Sequence, residues 1–175
     1  SSIDKLIYLH LSSADLVTED AVKSVNLIAA DSSDFDDFIR LHDNAGNPIS
    51  YPSQKEAVIC RKLANTYNLS PGSDFILRNK DGKEVHLTVS AVCENYVQNY
   101  IYISPKAVEN DWGSLPEIKA ALVYAASDSA ASGSNADTGD NTAHIYSSSA
   151  SVLNDSYVAA VSINHDFRIR VENMM

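Results

Sequence analysis

The sequence predicts an α+β fold in which a small twisted β-barrel or sheet unit is inserted in, or packed on, a strand-helix-strand layer. Three observations carry this. Short alternating apolar runs crowd residues 56–103, with an Asp-Gly turn between two of them. A helix-spaced apolar set follows two strand-like runs near residues 32–41, and strand, helix and strand patterns return after residue 104. The 175 residues suit one domain or two small ones, and an apolar content of 45% is enough to fill a core without staples. The expected division is one domain over 1–175, with the α+β layer from 1–55 and 104–175 and the β-rich unit from 56–103.

Residues 4–30 read as two strands, because Leu6, Tyr8 and His10 alternate with Ile7, Leu9 and Leu11, and Val25, Leu27 and Ala29 alternate again. Ser32, Ser33 and Asp34 supply capping oxygens and negative charge to a short helix through Phe35, Phe38, Ile39 and Leu41. Residues 44–48, with Gly46 and Pro48, end it as a turn. A strand over 56–60 leads into a helix over 61–68 with Leu63, Ala64 and Tyr67 on one face, stopped by Pro71-Gly72. The runs 75–78 and 84–92 flank Asp81-Gly82 as a hairpin, and Val85, Leu87, Val89 and Ala91 share one face of the second strand. Tyr100 to Ile103 is a further strand, and Ser104-Pro105 starts a helix over 106–110.

Beyond this the pattern predicts a buried strand over 120–125 and a mobile loop over 127–141, which holds no large apolar residue. A weak amphipathic helix over 142–153, a strand over 158–163 and a fraying helical end over 167–175 complete the chain.

Charge narrows the partners. Thirteen Lys+Arg against 23 Asp+Glu give −10, with a sequence pI near 4.7. A grip on nucleic acid or anionic lipid needs clustered cations that release counterions, so no nucleic-acid partner is expected. The longest uncharged apolar run, 120–126, is far short of the ~20 residues that span a bilayer. The first residues carry neither initiator Met nor a signal-like apolar stretch, which fits a soluble piece of a longer protein.

Catalytic constellations are missing from the pattern. The histidines at 10, 42, 86, 144 and 165 show no metal-ligand spacing, so no metal and no cofactor is expected. His86 falls on the outward register of its strand, and His42-Asp43 reads as a surface pair. The acidic cluster Asp31, Asp34, Asp36 and Asp37 lacks the spacing of a calcium loop and reads as a solvated helix start. There is no nucleophile elbow and no phosphate-binding glycine loop. Tyr96, Tyr100 and Tyr102 are the most distinctive aromatics, and their spacing serves either a core edge or a contact ridge for a partner or cargo.

Several segments together resemble a known pattern: Ile59-Cys-Arg-Lys-Leu-Ala64, Asn68-Leu-Ser-Pro-Gly-Ser-Asp-Phe-Ile-Leu77, Lys80-Asp-Gly-Lys-Glu-Val85, Val89-Ser-Ala-Val-Cys-Glu-Asn-Tyr96 and Tyr100-Ile-Tyr-Ile-Ser-Pro105. In order and spacing they resemble the extracellular domain of FtsX/MacB-type ABC transporter permeases of Gram-positive bacteria, best over 56–110. Cys60, Ser73, Ala91, Cys93 and Asn99 stand where that family more often has Ser, Gly, Gly, a hydrophobic residue and His. The fold is unaffected by these departures, but any role for a histidine at position 99 is not carried over.

The resemblance implies a MacB periplasmic-core-like layer at the extracellular face of the membrane and no enzymatic activity. Its implied partners are the transmembrane helices of the same permease, a cytoplasmic ATPase subunit and a second copy in the assembled transporter. Its implied role is to couple helix motion to export or handling of a peptide, lipid or lipoprotein. The alternative is an extracellular ligand-binding sensor or adhesion module without transport. Residues 1–7 and 167–175 are then expected at one side of the fold. The joint departure of Cys60 and Cys93 from the family's usual residues implies that they lie close, either as a disulfide or as two separate buried thiols.

Overall fold

The computed structural model describes residues 3–18, 21–30, 32–94 and 99–125. The chain forms two compact units, Leu6–Leu122 and Ser1–Lys5 with Val123–Met175. Of the second the structure describes only the strand ends 3–5 and 123–125. The segments anticipated over 127–141, 142–153, 158–163 and 167–175 lie outside the described residues.

Among the described residues the elements follow in order: β1 (Ile3–Val17), β2 (Val22–Ala29), α1 (Ser32–Phe38), β3 (Glu56–Cys60), α2 (Arg61–Tyr67), β4 (Asp74–Arg78), β5 (Glu84–Cys93), β6 (Tyr100–Ile103), α3 (Pro105–Trp112) and β7 (Ile118–Ala125). The strands line up as β2-β6-β3-β5-β4-β1-β7, and β1 pairs back to β2. That second pairing closes the first six into a mixed barrel, with β7 hydrogen-bonded to β1 outside the ring. Two neighbour pairs are parallel, β2 with β6 and β3 with β5. The barrel therefore extends beyond 56–103, since β1 and β2 from the first 30 residues are two of its staves.

β1 serves both purposes by changing face. Ile7 and Leu9 are buried in its first half, Ala14 and Leu16 in its second. The switch from odd to even positions falls at His10–Ser13, where β1 enters its register with β2, His10 opposite Ala29. His10 Nδ1–H donates to the Pro116 carbonyl at 2.6 Å, and the Leu11 N–H donates to the Glu117 carbonyl at 3.2 Å, so the start of β7 is fastened at the same place.

The β4–β5 hairpin forms where the alternation places it, but its turn is built around Asn79. The Asn79 Oδ1 accepts from the N–H groups of Asp81 and Lys83, both at 2.9 Å, and Gly82 takes φ +77°, a conformation that costs a side chain little only when there is none. Its inner face is Phe75 and Leu77 against Val85 and Leu87, all buried.

The helices are short. α2 ends on Asn68 in the left-handed region, with the Leu69 N–H returning to the Ala64 carbonyl at 2.9 Å. α3 starts with Pro105 in its first turn and ends on Gly113 at φ +74°. Ser104 makes no side-chain cap there; its carbonyl accepts from the Ala107 N–H. α3 buries Pro105, Ala107, Val108 and Trp112. α1 stops at Phe38, short of the anticipated Leu41, after delivering Phe35 into the core at 0% exposure.

Candidate functional site

An open groove of about 360 Å³ lies at the end of the barrel where β3 and β5 finish. Three pieces build it. α2 contributes Arg61 and Ala64, β5 contributes Ala91 and Val92, and the loop after α1 contributes Asp43 and Ile49. The loop is held against the strand by the Glu94 N–H, which donates to the His42 carbonyl at 2.9 Å, and closed on itself by the Ile49 N–H to Leu41 bond at 2.8 Å.

The charged groups at its rim are already engaged. Arg61 Nε donates to Glu94 Oε2 at 3.2 Å, with the Glu94 side chain only 10% exposed. Asp43 accepts from the Asn47 side-chain amide and from the N–H groups of Asn47 and Ala45, all at 2.9 Å. The Asn47 side-chain bond foremost, and then the backbone bonds, hold the Asp43 carboxyl below its ordinary value of 3.8. What remains for a ligand is the apolar floor of Ile49, Ala64, Leu69, Ala91 and Val92. Asn44, Asn65 and Ser70 add uncharged polar groups to the lining.

The residues singled out from sequence fall in three places. Tyr96 lies outside the described residues. Tyr102 is 5% exposed and meets the Phe35 ring edge-on at 6.0 Å, so it belongs to the core and presents no contact ridge. Tyr100 is half-buried, 6.4 Å from the Tyr102 ring. Cys60 and Cys93, expected to lie close, are register partners at the ends of β3 and β5. His86 is exposed, and the His42 ring donates only to the backbone carbonyl of Asp43. Among the described residues no three His, Cys, Asp or Glu side chains gather.

Two features escaped the sequence reading. Tyr8 is 56% exposed on β1, a more open aromatic than Tyr100; its signal was the alternation that turns Ile7 and Leu9 inward. Tyr51 is a buried polar hub, and nothing in the local pattern around Pro52 announces it.

Two solved extracytoplasmic domains share this fold. The extracellular domain of the noncanonic ABC-type transporter YknZ from Gram-positive bacteria superposes with a TM-score of 0.54 at 13% identity, over 72% of this chain and 67% of that one. The periplasmic region of MacB from Actinobacillus actinomycetemcomitans superposes with a TM-score of 0.52 at 15% identity, over 83% of this chain and 64% of that one. The chain thus spans about two thirds of the length of either neighbour. No protein-family model matches it, and no curated protein matches it. Among the described residues no helix is long and apolar enough to cross a membrane.

Proposed function

We propose that this chain is the extracellular domain of an ABC transporter permease, without catalytic activity of its own. It couples the motion of the permease's transmembrane helices to export or handling of a peptide, lipid or lipoprotein. The observation that carries the reading is the fold likeness, over 72% and 83% of this chain, to two extracytoplasmic domains, the extracellular domain of YknZ and the periplasmic region of MacB. The apolar groove beside α2 supports it, because binding surface without reactive groups suits a part that transmits force and touches cargo. In the assembled transporter the partners are the helices of the same chain, a cytoplasmic ATPase subunit and a second copy. Tyr100 and Tyr96 supply aromatic contact surface, and Tyr102 packs β6 onto the core.

Topology labelling of the full-length protein tests the placement. Asp81 is an exposed turn residue, and both native thiols are buried, so Asp81→Cys gives a clean reporter. A membrane-impermeant maleimide should label it on intact cells. Labelling only after permeabilisation would overturn the extracellular reading. Cargo-dependent stimulation of the partner ATPase, lost when 61–94 is deleted from the permease, separates transport from passive sensing.

A further inference from the structure

Cys60 ends β3, Cys93 ends β5, and the two sit opposite one another in the parallel β3–β5 pair. Both are buried, at 0% and 1% exposure, and both are free thiols. Partners on adjacent strands lie about 4.8 Å apart. That falls inside the ~4.4–6.8 Å between Cα atoms that a disulfide spans. Register partners also project to the same face of the sheet, so the two sulfurs share one side of it.

A single bulge produces this pairing. The register runs Ala57 opposite Val89 and then Val58 opposite Ala91, passing over Ser90. An uninterrupted ladder from Ala57 and Val89 would set Val92 against Cys60; the extra residue sets Cys93 there instead. Ser90 Oγ donates to the Ala57 carbonyl at 3.2 Å and holds the bulge in place. In that position desolvation first, and then the neighbouring Cys60, push the Cys93 thiol up to about 12.

We propose that Cys60 and Cys93 are a redox pair, oxidised to an intramolecular disulfide by a low-molecular-weight disulfide such as oxidised glutathione. One cysteine thiolate attacks a sulfur of the oxidant and releases one glutathione thiolate. The second cysteine thiolate then displaces the other glutathione and closes the Cys60–Cys93 bond. The two cysteine protons end on the two glutathione thiols, and the pair loses the two electrons that the oxidant gains. Burial makes the exchange slow in the folded chain and fast during refolding.

The bond would act on the groove. Arg61 opens α2 directly after Cys60, and Glu94 follows Cys93, so the Arg61–Glu94 ion pair lies one residue beyond the cysteine pair on both segments. A disulfide beneath it fixes the wall formed by Arg61 and Ala64 to the wall formed by Ala91 and Val92. The groove is then rigid when oxidised and free to open when reduced. Oxidation in the cell rests on the extracellular placement proposed above, since that compartment permits disulfides; the pairing of the two residues does not.

The purified 175-residue chain, refolded in mixtures of oxidised and reduced glutathione, decides it. Intact mass should fall by two hydrogens, and proteolysis without reductant should yield one cross-linked species joining Cys60 to Cys93. The oxidised chain should melt higher than the reduced one by roughly 5–15 °C. Cys60→Ala and Cys93→Ala should each abolish that difference; if either fails to fold, the wild-type mass and peptide map still decide. Two alkylatable thiols in every mixture, a disulfide-linked dimer, or two glutathione adducts would overturn the proposal. A chain that forms the bond yet labels inside the cell would refute the extracellular reading alone.

Discussion

The Tyr51 hydroxyl donates to the Ile103 carbonyl at 2.8 Å, joining the loop before β3 to the last residue of β6. The same oxygen lies 3.2 Å from the Ile28 carbonyl and accepts from the Ala30 N–H at 3.2 Å. Parallel strands β2 and β6 end together at this point, and their terminal backbone groups have run out of ladder. One phenol satisfies them while its ring packs against Phe35, with centroids 4.3 Å apart.

Tyr51→Phe keeps the ring and removes the oxygen, so it should cost about 1–3 kcal/mol through buried backbone groups left without a partner. The urea midpoint should fall with its slope unchanged. An unaltered midpoint would mean that water replaces the hydroxyl.

His10 is the second fastening point. Because a carbonyl only accepts, the 2.6 Å contact with Pro116 requires the proton on Nδ1. His10→Ala should cost roughly 1 kcal/mol and speed amide exchange across 118–122, while the β4–β5 hairpin exchanges as before. Equal acceleration in both would make His10 a general stability residue with no special hold on β7.

Local chemistry made the strands legible, and long-range pairing was what the pattern withheld. The β4–β5 hairpin was readable because Phe75, Leu77, Val85 and Leu87 alternate on either side of Asp81-Gly82, and a hairpin's partner is its neighbour in sequence. Barrel closure was not, since Asn26 meets Tyr100 and Ala57 meets Val89 across long stretches of chain in parallel pairs that no turn announces. The local pattern accordingly confines the β-rich unit to 56–103, whereas the closed sheet also takes in β1 and β2. Tyr102 illustrates the same limit within the site. Its spacing from Tyr96 and Tyr100 allowed either ridge or core, and burial beside Phe35 is a property of the closed barrel. The nearness of Cys60 and Cys93 was implied by resemblance, whereas the bulge at Ser90 that sets their register has no signature in the residues themselves.

Asp43 supplies a pH dependence at the groove. Its folded-state value lies below 3.8, so the loop's stabilisation is complete above that value and is lost as pH falls through the lowered one. Asn47→Ala removes the largest cause and should return the Asp43 titration toward 3.8 by NMR, with the acid-side loss of stability due to Asp43 shrinking accordingly. An unmoved titration would assign the shift to the backbone donors of Asn47 and Ala45.

The alkaline limb belongs to Cys93. Burial and the adjacent Cys60 raise its thiol from 9.0 to about 12, so the folded chain keeps a proton that the unfolded chain releases. Stability is unaffected below pH 9.0 and declines as pH rises from there toward about 12. The loss from this one group is at most about 1.4 kcal/mol per pH unit. Under reducing conditions, Cys93→Ala deletes that contribution. Its deficit in denaturant midpoint relative to wild type should therefore be largest near neutrality and shrink steadily between pH 9 and pH 11. Oxidising the wild-type chain should remove the same limb, because a disulfide has no proton to lose. A deficit that stays constant with pH would place the Cys93 thiol in contact with solvent and would also weaken the case that it faces Cys60 across the β3–β5 pair.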